Sequence, residues 1–530
     1  MTAPSVAAGS AVIAALRDAG VRHLVVSPGS RSAPLARAAA AAEMAGTMAL
    51  HVRLDERSAG FLAVGLAKGS GSPVAVMCTS GTAVANLVPA VVEARYAGVP
   101  LVVVTADRQP ELRGRGAAQT IDQVDIFGRF PLVSRDLPLP DDSDWSARPV
   151  AELVATAVRA RGPVHLNLPL RPPLVGPVVE LSEQPGDPAD PTWRSPERPR
   201  LTTAARGAFL VGDLDIQDDV VRDQIRTEAA RRGWPIIAEA SSGLLGQPGV
   251  VPGGTAALGD AATAERLRPQ IVITVGPFGL DRGVIDWLRS ADRHVSVRLR
   301  PRTDPPDPLR SAESVLAAVP YVDADADESW TQAWAEAAGP APEGWGMGLI
   351  AATVWSQLTP DDLLVVASSS AIRALAASAR GPGPRVLANR GANGIDGLVS
   401  TAWGAAVAHG GRTVALLGDL AFLHDTNGLL VPSVEVRPDL TYVVADSNGG
   451  AIFAGLEQGA PEYADTFERI FTTPHDRDLR ALLEVHGVPT TAAADADSLG
   501  EALRTTADSA GVAAIVAPVS ASGAGGATAH

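Results

Sequence analysis

The chain reads as an α/β protein built from three doubly wound parallel sheets. Short apolar runs of strand character alternate with amphipathic or alanine-rich helical stretches along most of its length. Several of those runs end in turns of Gly, Ser, Asn and Asp, the place where an open parallel sheet presents its binding crevice. Passages rich in Pro, Asp and Ala or Glu interrupt the alternation twice, and 530 residues accommodate about three domains at ~150 residues each. The expected division is 1–180, 200–325 and 345–520, with linkers at 181–199 and 326–344. A Gly/Ala/Ser-rich tail at 521–530 is expected to be disordered.

Residues 5–19 carry helical periodicity that Gly20 ends, and His23–Val26 follows as a strand. The turn Ser27-Pro28-Gly29-Ser30-Arg31-Ser32-Ala33-Pro34 then opens an alanine-rich helix. A Gly/Ser turn at a helix N-terminus receives anions, and Arg31 adds a fixed positive charge. A second strand over 50–54 ends in Asp55-Glu56-Arg57 before a helix over 58–68; the acidic pair suits a helix start by charge and dipole alone. A strand over 74–77 leads into Thr79-Ser80-Gly81-Thr82 and a helix reaching Tyr96. The strand over 101–105 ends in Ala106-Asp107-Arg108-Gln109-Pro110, a polar loop with Gln119 and Asp122 spans 114–130, and a strand over 164–169 closes the domain.

Strands over 208–211, 235–238, 271–275 and 295–299 alternate with helices in the second domain. It holds its own Gly212-Asp213-Leu214, but no Asn/Gly turn follows a further strand at a useful distance. In the third domain, strands over 385–387, 413–417 and 441–445 precede three turns: Arg390-Gly391-Ala392-Asn393-Gly394-Ile395-Asp396-Gly397, Gly418-Asp419-Leu420 and Asp446-Ser447-Asn448-Gly449-Gly450. An Asp at one strand end and a Ser/Asn/Gly turn about one βα unit later supply oxygen ligands to Mg2+, which favours about six oxygens and can hold a diphosphate as well.

A net charge of −15 argues against nucleic acid or an anionic membrane as partner. No run approaches ~20 apolar residues and the N-terminus lacks a signal-peptide pattern, so a cytoplasmic protein is expected. The single cysteine, Cys78, lies in an apolar strand and reads as core. Lys68 is the single lysine, at a helix end, which argues against Schiff-base chemistry. With arginine as the default cation, only an arginine's placement is informative.

The Glu56 helix, the Thr79-Ser80-Gly81-Thr82 turn with Asn86, and residues 101–108 resemble the pyrimidine-binding domain of thiamine-diphosphate enzymes. The third domain resembles their diphosphate-binding domain. Within that superfamily, the turn from Ser27 to Pro34, the run from Asn389 to Gly397 and Gly418-Asp419-Leu420 resemble the synthases of menaquinone biosynthesis that join 2-oxoglutarate to isochorismate. The resemblance implies a transferase that decarboxylates 2-oxoglutarate on thiamine diphosphate, with Mg2+ or Mn2+, and adds the succinyl semialdehyde carbanion to isochorismate.

By that resemblance Glu56 is the catalytic carboxylate beside N1′ of the aminopyrimidine, where it shares a proton. Ile395 is the apolar wedge that bends the coenzyme, and Gln119 contacts the reacting intermediate. Thr79, Gly81, Asn86, Asn393, Gly418, Leu420, Gly449, Gly450 and Ile452 are carried over as further cofactor contacts. Asp419 matches the first metal ligand. Ser447 stands where the family usually has Asn, with the Gly449 carbonyl beside it; a shift of one residue would instead present Asp446 or Asn448. Leu420 replaces the Gly usual in the wider superfamily, a change that close relatives of the synthase share.

Two dicarboxylate substrates favour arginine forks and hydroxyls. The family pattern places Ser30, Arg31 and Arg108 in the first domain, with the two arginines directed mainly at isochorismate. It places Ser369, Arg373 and Arg390 in the third, with the two arginines at the succinyl-side carboxylate of 2-oxoglutarate. In the middle domain only Arg282 matches, with Asp281 beside it. The pyrimidine and diphosphate halves come from different subunits in this superfamily, so the resemblance implies a homo-oligomer, dimer or tetramer, with interfacial sites. Two other readings compete: another thiamine-diphosphate 2-oxoacid decarboxylase or acetolactate-type carboligase, which would not require so many arginines, and a non-catalytic metabolite-binding regulator. The retained Glu56, Asp419 and Ile395 argue against the latter.

Overall fold

A computed structural model describes residues 2–141, 144–177, 196–215, 217–279, 281–299, 305–339 and 341–520. The expected tail, and residues 181–195 of the first expected linker, lie outside them. The first sheet has six parallel strands: β1 His23–Val26, β2 Ala49–Val52, β3 Val74–Cys78, β4 Leu101–Arg108, β5 Ser134–Asp136 and β6 Val164–Leu170. Their order is β2-β1-β3-β4-β6-β5. After β7 Arg200–Thr202 comes a five-stranded parallel sheet of β8 Gly207–Val211, β9 Ile236–Ala238, β10 Ile271–Val275, β11 Arg293–Val297 and β12 Ser314–Leu316, ordered β12-β11-β10-β8-β9. β13 Tyr321–Asp323 pairs with β7. The third sheet comprises β14 Leu363–Val366, β15 Arg385–Leu387, β16 Thr413–Gly418, β17 Leu440–Asp446, β18 Thr490–Ala492 and β19 Val512–Pro518, in the order β15-β14-β16-β17-β19-β18.

The first and third sheets therefore repeat one topology, strand for strand. In each the order reverses beside the first strand, between β1 and β3 and between β14 and β16, where crevices form in doubly wound sheets.

β7, β12, β13, β14, β18 and β19 are strands beyond those expected, and three further details differ from expectation. β5 is an additional edge strand, Ser-Arg-Asp, too short and polar to register as an apolar run. β4 continues through Asp107 to Arg108, so these residues end the strand and do not follow it. The stretch 326–344 is no open linker: Asp327 caps a helix over Glu328–Glu336, Trp330 and Trp334 are buried, and the Trp330 indole donates to the Gly207 carbonyl at 2.8 Å.

The described residues divide into two compact units. One spans Met1–Trp193 with Asn389–Gly410 and His424–Arg437; the other spans Arg194–Ala388 with Gly411–Leu423 and Pro438–His530. Packing thus groups the second and third sheets, and assigns two segments of the expected third domain to the first unit.

Within the first unit the helix Glu56–Ser70 is buried over Ser58–Ala67. Asp55 starts it by accepting from the Arg57 and Ser58 amides at 2.8 and 3.4 Å, and Gly71 ends it in the left-handed conformation. Its continuous burial comes from the sheet on one side and the helix Leu398–His409 on the other. The two helices meet backbone to backbone: a Cβ at Gly65 would run into the Thr401 carbonyl, and one at Gly404 into the Leu62 carbonyl. Gly65→Ala is expected to cost about 1–3 kcal/mol by overpacking. A denaturant midpoint equal to the parent's would show that this contact is looser than described.

Candidate active site

In the first unit, Glu56 is the first residue of its helix and lines an open cleft of about 430 Å³ with Leu54, Asp55, Arg57 and Asn86. Burial pushes the Glu56 carboxyl above its ordinary value, the helix-start amide partly offsets this, and the adjacent Asp55 charge adds to the rise. A half-buried carboxyl raised in this way is suited to exchanging a proton.

The β3 turn lies nearby in the fold, with Thr79 and Gly81 buried. Gln119, in the left-handed region, is tied to it twice: the Ser80 hydroxyl donates to the Gln119 carbonyl at 2.9 Å and the Gln119 amide donates to the Ser80 carbonyl at 3.0 Å. The Thr79 hydroxyl is buried without a hydrogen-bond partner.

The charges of Arg31 and Arg108 act on one another. Burial and the neighbouring Arg108 charge lower the Arg31 pKa, while Asp107 partly restores it. Arg31 is 6% exposed and spends one donor on the Leu170 carbonyl at 2.7 Å; the Nε atoms of both arginines have no hydrogen-bond partner. Two neighbouring guanidiniums with unused donors make a receptor for a carboxylate. Ser30 is exposed on the same turn.

Arg390, Asn393 and Ile395 lie on the loop after β15, in the first unit. Its backbone is held by Glu93, buried on the helix Val88–Ala97, which accepts from the Gly391 and Ala392 amides at 2.9 and 2.7 Å. A second buried acid, Asp425, accepts from the Ser58 hydroxyl at 3.3 Å and the Ser400 amide at 2.7 Å, joining the Glu56 helix to the Leu398–His409 helix.

In the second unit, Asp419 is buried at the end of β16. Its Oδ2 accepts from the Ser447 and Gly449 amides at 3.0 and 2.8 Å and lies 3.3 Å from the Ser447 hydroxyl, which is 2.9 Å from the Gly449 carbonyl. Asn448 turns away, in the left-handed region, and exchanges two hydrogen bonds of 2.8 Å with Asp476. Of the three residues left open by sequence, Ser447 therefore has its side-chain oxygen against Asp419. His475 Nε2 approaches Asp419 and Asp446 at 3.4 and 3.5 Å, so two carboxylates and an imidazole converge beside the hydroxyl and carbonyl. These oxygen donors fit a hard divalent cation. Gly418, Leu420, Gly450 and Ile452 border the same turns.

Ser369 precedes the helix Ser370–Ser378 at positive φ, with no side-chain hydrogen bond to the helix start, and Arg373 is exposed on that helix. Arg282 is exposed at the start of the helix Arg282–Ser290, and Asp281 caps that helix by accepting from the Gly283 and Val284 amides at 3.1 and 3.4 Å. Asp281 is thus occupied by a structural task, and Arg282 joins no described cluster of site residues. Glu93, Asp425 and His475 were not singled out by sequence reasoning.

Residues 6–126 match the family model described as thiamine pyrophosphate enzyme, N-terminal TPP binding domain, and residues 372–517 match the corresponding C-terminal TPP binding domain. Fold and donor sets together define a thiamine-diphosphate enzyme. The chain is 40% identical to the 2-succinyl-5-enolpyruvyl-6-hydroxy-3-cyclohexene-1-carboxylate synthase of Saccharopolyspora erythraea, over 94% of each chain. The synthases of the same name from Rhodococcus opacus and Kineococcus radiotolerans are 42% and 43% identical, each over 92% of this chain and 91% of the relative. The chain belongs to this synthase family. Among the described residues no helix is long and apolar enough to cross a membrane.

Burial pushes the Asp425 carboxyl up to about 6, against the Ser400 and Ser58 donors and Arg57. The stabilising protonated form is complete below about pH 4 and is lost as pH rises through about 6. Asp425→Asn, which does not ionise, is expected to gain on the parent by up to about 3 kcal/mol between pH 4 and pH 7.5. Thermal midpoints whose difference stays constant over that range would refute the raised carboxyl.

Proposed function

We propose that this chain decarboxylates 2-oxoglutarate and transfers the remaining four-carbon unit to isochorismate, giving 2-succinyl-5-enolpyruvyl-6-hydroxy-3-cyclohexene-1-carboxylate for menaquinone biosynthesis. Thiamine diphosphate, when bound, supplies the carbanion stabilisation that such a carboligation needs. The observation that carries the reading is the Arg31–Arg108 pair with unused donors, which suits a carboxylate-rich acceptor. Family membership over more than nine-tenths of the chain supports it.

On this reading Glu56 holds or releases the proton at N1′ of the aminopyrimidine, helped by its raised pKa. Thr79, Gly81, Asn86 and Ile395 would hold the pyrimidine end of the coenzyme, and Asn393, Gly450 and Ile452 would border the rest of it. Asp419, Ser447 and the Gly449 carbonyl would hold Mg2+ or Mn2+, with Gly418 and Leu420 shaping the turn. Ser30, Arg31 and Arg108 orient isochorismate; Ser369, Arg373 and Arg390 fix the distal carboxylate of 2-oxoglutarate; Gln119 contacts the reacting centre. Arg282 contributes a peripheral positive charge. Because family sites combine halves from two subunits, a homodimer or larger assembly is part of the proposal, as is a cytoplasmic location.

Mixing the protein with thiamine diphosphate, Mg2+, 2-oxoglutarate and isochorismate is expected to consume isochorismate absorbance, and omitting 2-oxoglutarate should abolish the change. Release of CO2 at the same rate without isochorismate would instead favour a simple decarboxylase, and absence of Mg2+-dependent coenzyme binding would favour a regulator. Glu56→Gln should lower turnover by about 10²–10⁴-fold while coenzyme affinity stays near the parent's. Parental turnover in that variant removes Glu56 from its role. Ser447→Ala should raise the Mg2+ concentration for half-maximal coenzyme binding, whereas Asn448→Ala should leave it nearly unchanged; the reverse ranking would reassign the ligand.

A further inference from the structure

Glu93 has no assigned task in the proposed reaction, yet it is 2% exposed and its two carboxylate oxygens each accept one backbone amide, Gly391 at 2.9 Å and Ala392 at 2.7 Å. Among the described residues no basic side chain forms an ion pair with it. A buried carboxylate without a cation is expensive, and charge-assisted bonds to amides are the compensation available to it. The fit is close on the other side as well: a Cβ at Gly391 would meet the Glu93 carbonyl and the Ala97 amide. The Val88–Ala97 helix and the loop after β15 are therefore in direct backbone contact at this point.

The position of this clasp matters. Gly391 and Ala392 lie between Arg390 and the pair Asn393 and Ile395. Holding both amides restricts the backbone torsions on which the directions of those side chains depend. A neutral amide cannot replace the carboxylate, since Gln offers one acceptor oxygen and turns a donor toward the second N–H.

We propose that Glu93 is a positioning residue that presets the Arg390–Ile395 loop for coenzyme and 2-oxoacid binding, acting through the two amides and not by touching either ligand. The inference rests on the reading of that loop given above. Its effect is on preorganisation: without the clasp the loop must be ordered at the moment of binding, and affinity falls.

The test compares Glu93→Gln with the parent by hydrogen exchange of a peptide covering residues 389–397, by thiamine diphosphate affinity in calorimetry with Mg2+, and by steady-state kinetics. Faster exchange confined to that peptide, coenzyme Kd and 2-oxoglutarate KM each raised by about tenfold or more, and a smaller change in kcat are expected. Glu93→Asp keeps the charge one methylene short and should give intermediate values; it replaces the Gln variant if that variant does not fold. Unchanged Kd and KM, or faster exchange spread over the whole chain, would overturn the proposal and leave Glu93 a general packing residue. Ile395→Ala and Arg390→Ala separate the two levels of inference. If they change neither Kd nor KM, the reading of the loop has failed; if they do and Glu93→Gln does not, only the role of Glu93 has failed.

Discussion

The helix Glu56–Ser70 lies against the helix Leu398–His409 with glycine on each side of the contact, Gly65 under the Thr401 carbonyl and Gly404 under the Leu62 carbonyl. Helix axes that close admit no rotation or sliding without a steric clash, because packed interiors yield little to small displacements. Glu56 is the first residue of one helix, and the loop carrying Asn393 and Ile395 runs into the other. The contact between the helices thus fixes the start of the Glu56 helix against the Leu398–His409 helix within one chain. Asp425 reinforces it from the side, since its carboxylate spans from the Ser58 hydroxyl to the Ser400 amide. Thr401 adds a polar tie, donating to the Phe61 carbonyl at 3.4 Å and accepting from Asn389 at 2.9 Å.

A second buried acid organises the anion corner of the same unit. Asp107 accepts from Arg113 at 2.7 Å, from Asn167 at 3.0 Å and from the Arg108 amide at 2.7 Å. Asn167 passes the network to Gln123 at 2.8 Å, and Gln123 accepts from the Gly81 amide at 3.2 Å. The Asp107, Asn167 and Gln123 side chains are thus linked in one chain of hydrogen bonds, and linked polar groups of this kind rigidify a site. Arg113 pairs with Asp107 at 2.7 Å, while the buried Nε atoms of Arg31 and Arg108 have no hydrogen-bond partner. Arginine suits this duty better than lysine, because its fork keeps a fixed direction while one branch is held by a carbonyl, as Arg31 is by Leu170.

Much of this was legible in the sequence. Apolar runs marked β1 and β10 to the residue, because central parallel strands are buried on both faces and their composition is correspondingly uniform; the short edge strand β15 was marked as well. Turns at strand ends drew attention to Arg31 after β1, Arg108 at the end of β4 and Asp419 after β16, whereas Glu56 was singled out by the family resemblance. Illegible features were those that depend on distant partners. Glu93 and Asp425 look like ordinary helix and turn acids, and only folding brings them against residues 298 and 367 positions away, respectively. His475 stands in a Thr-Pro-His-Asp stretch with no strand to mark it, so its approach to Asp419 depends on the conformation of a loop. Which of Asp446, Ser447 and Asn448 brings its side chain toward Asp419 was likewise closed to pattern reading: Ser447 and Asp446 do, and Asn448 does not. The position of Asn448 depends on its left-handed backbone, which Asp476 supports from another loop. The helix within 326–344 was obscured by its Pro- and Ala-rich flanks, although Trp330 and Trp334, four residues apart, share the buried face that a helix would give them.

The two Gly-Asp-Leu tripeptides show how far a motif is from a site. Both follow strands of parallel sheets, Gly212-Asp213-Leu214 after β8 and Gly418-Asp419-Leu420 at the end of β16. After β8 the corner is filled by the chain itself: a Cβ at Gly212 would strike the Pro277 carbonyl, and the Asp213 amide donates to that carbonyl at 2.7 Å. At Gly418 an added Cβ would meet nothing within 4 Å. Asp419 also has a neighbouring strand whose end supplies a hydroxyl, two amides and a carbonyl within hydrogen-bonding reach of one another. Since a hard cation needs several oxygens around open space, the identical tripeptide is a closed turn in one sheet and a receptive one in the other. What separates them is the conformation of the segment following the next strand, Pro277 in one case and the Ser447–Gly449 turn in the other. That segment, and not the Asp alone, decides whether a strand end of this fold can bind.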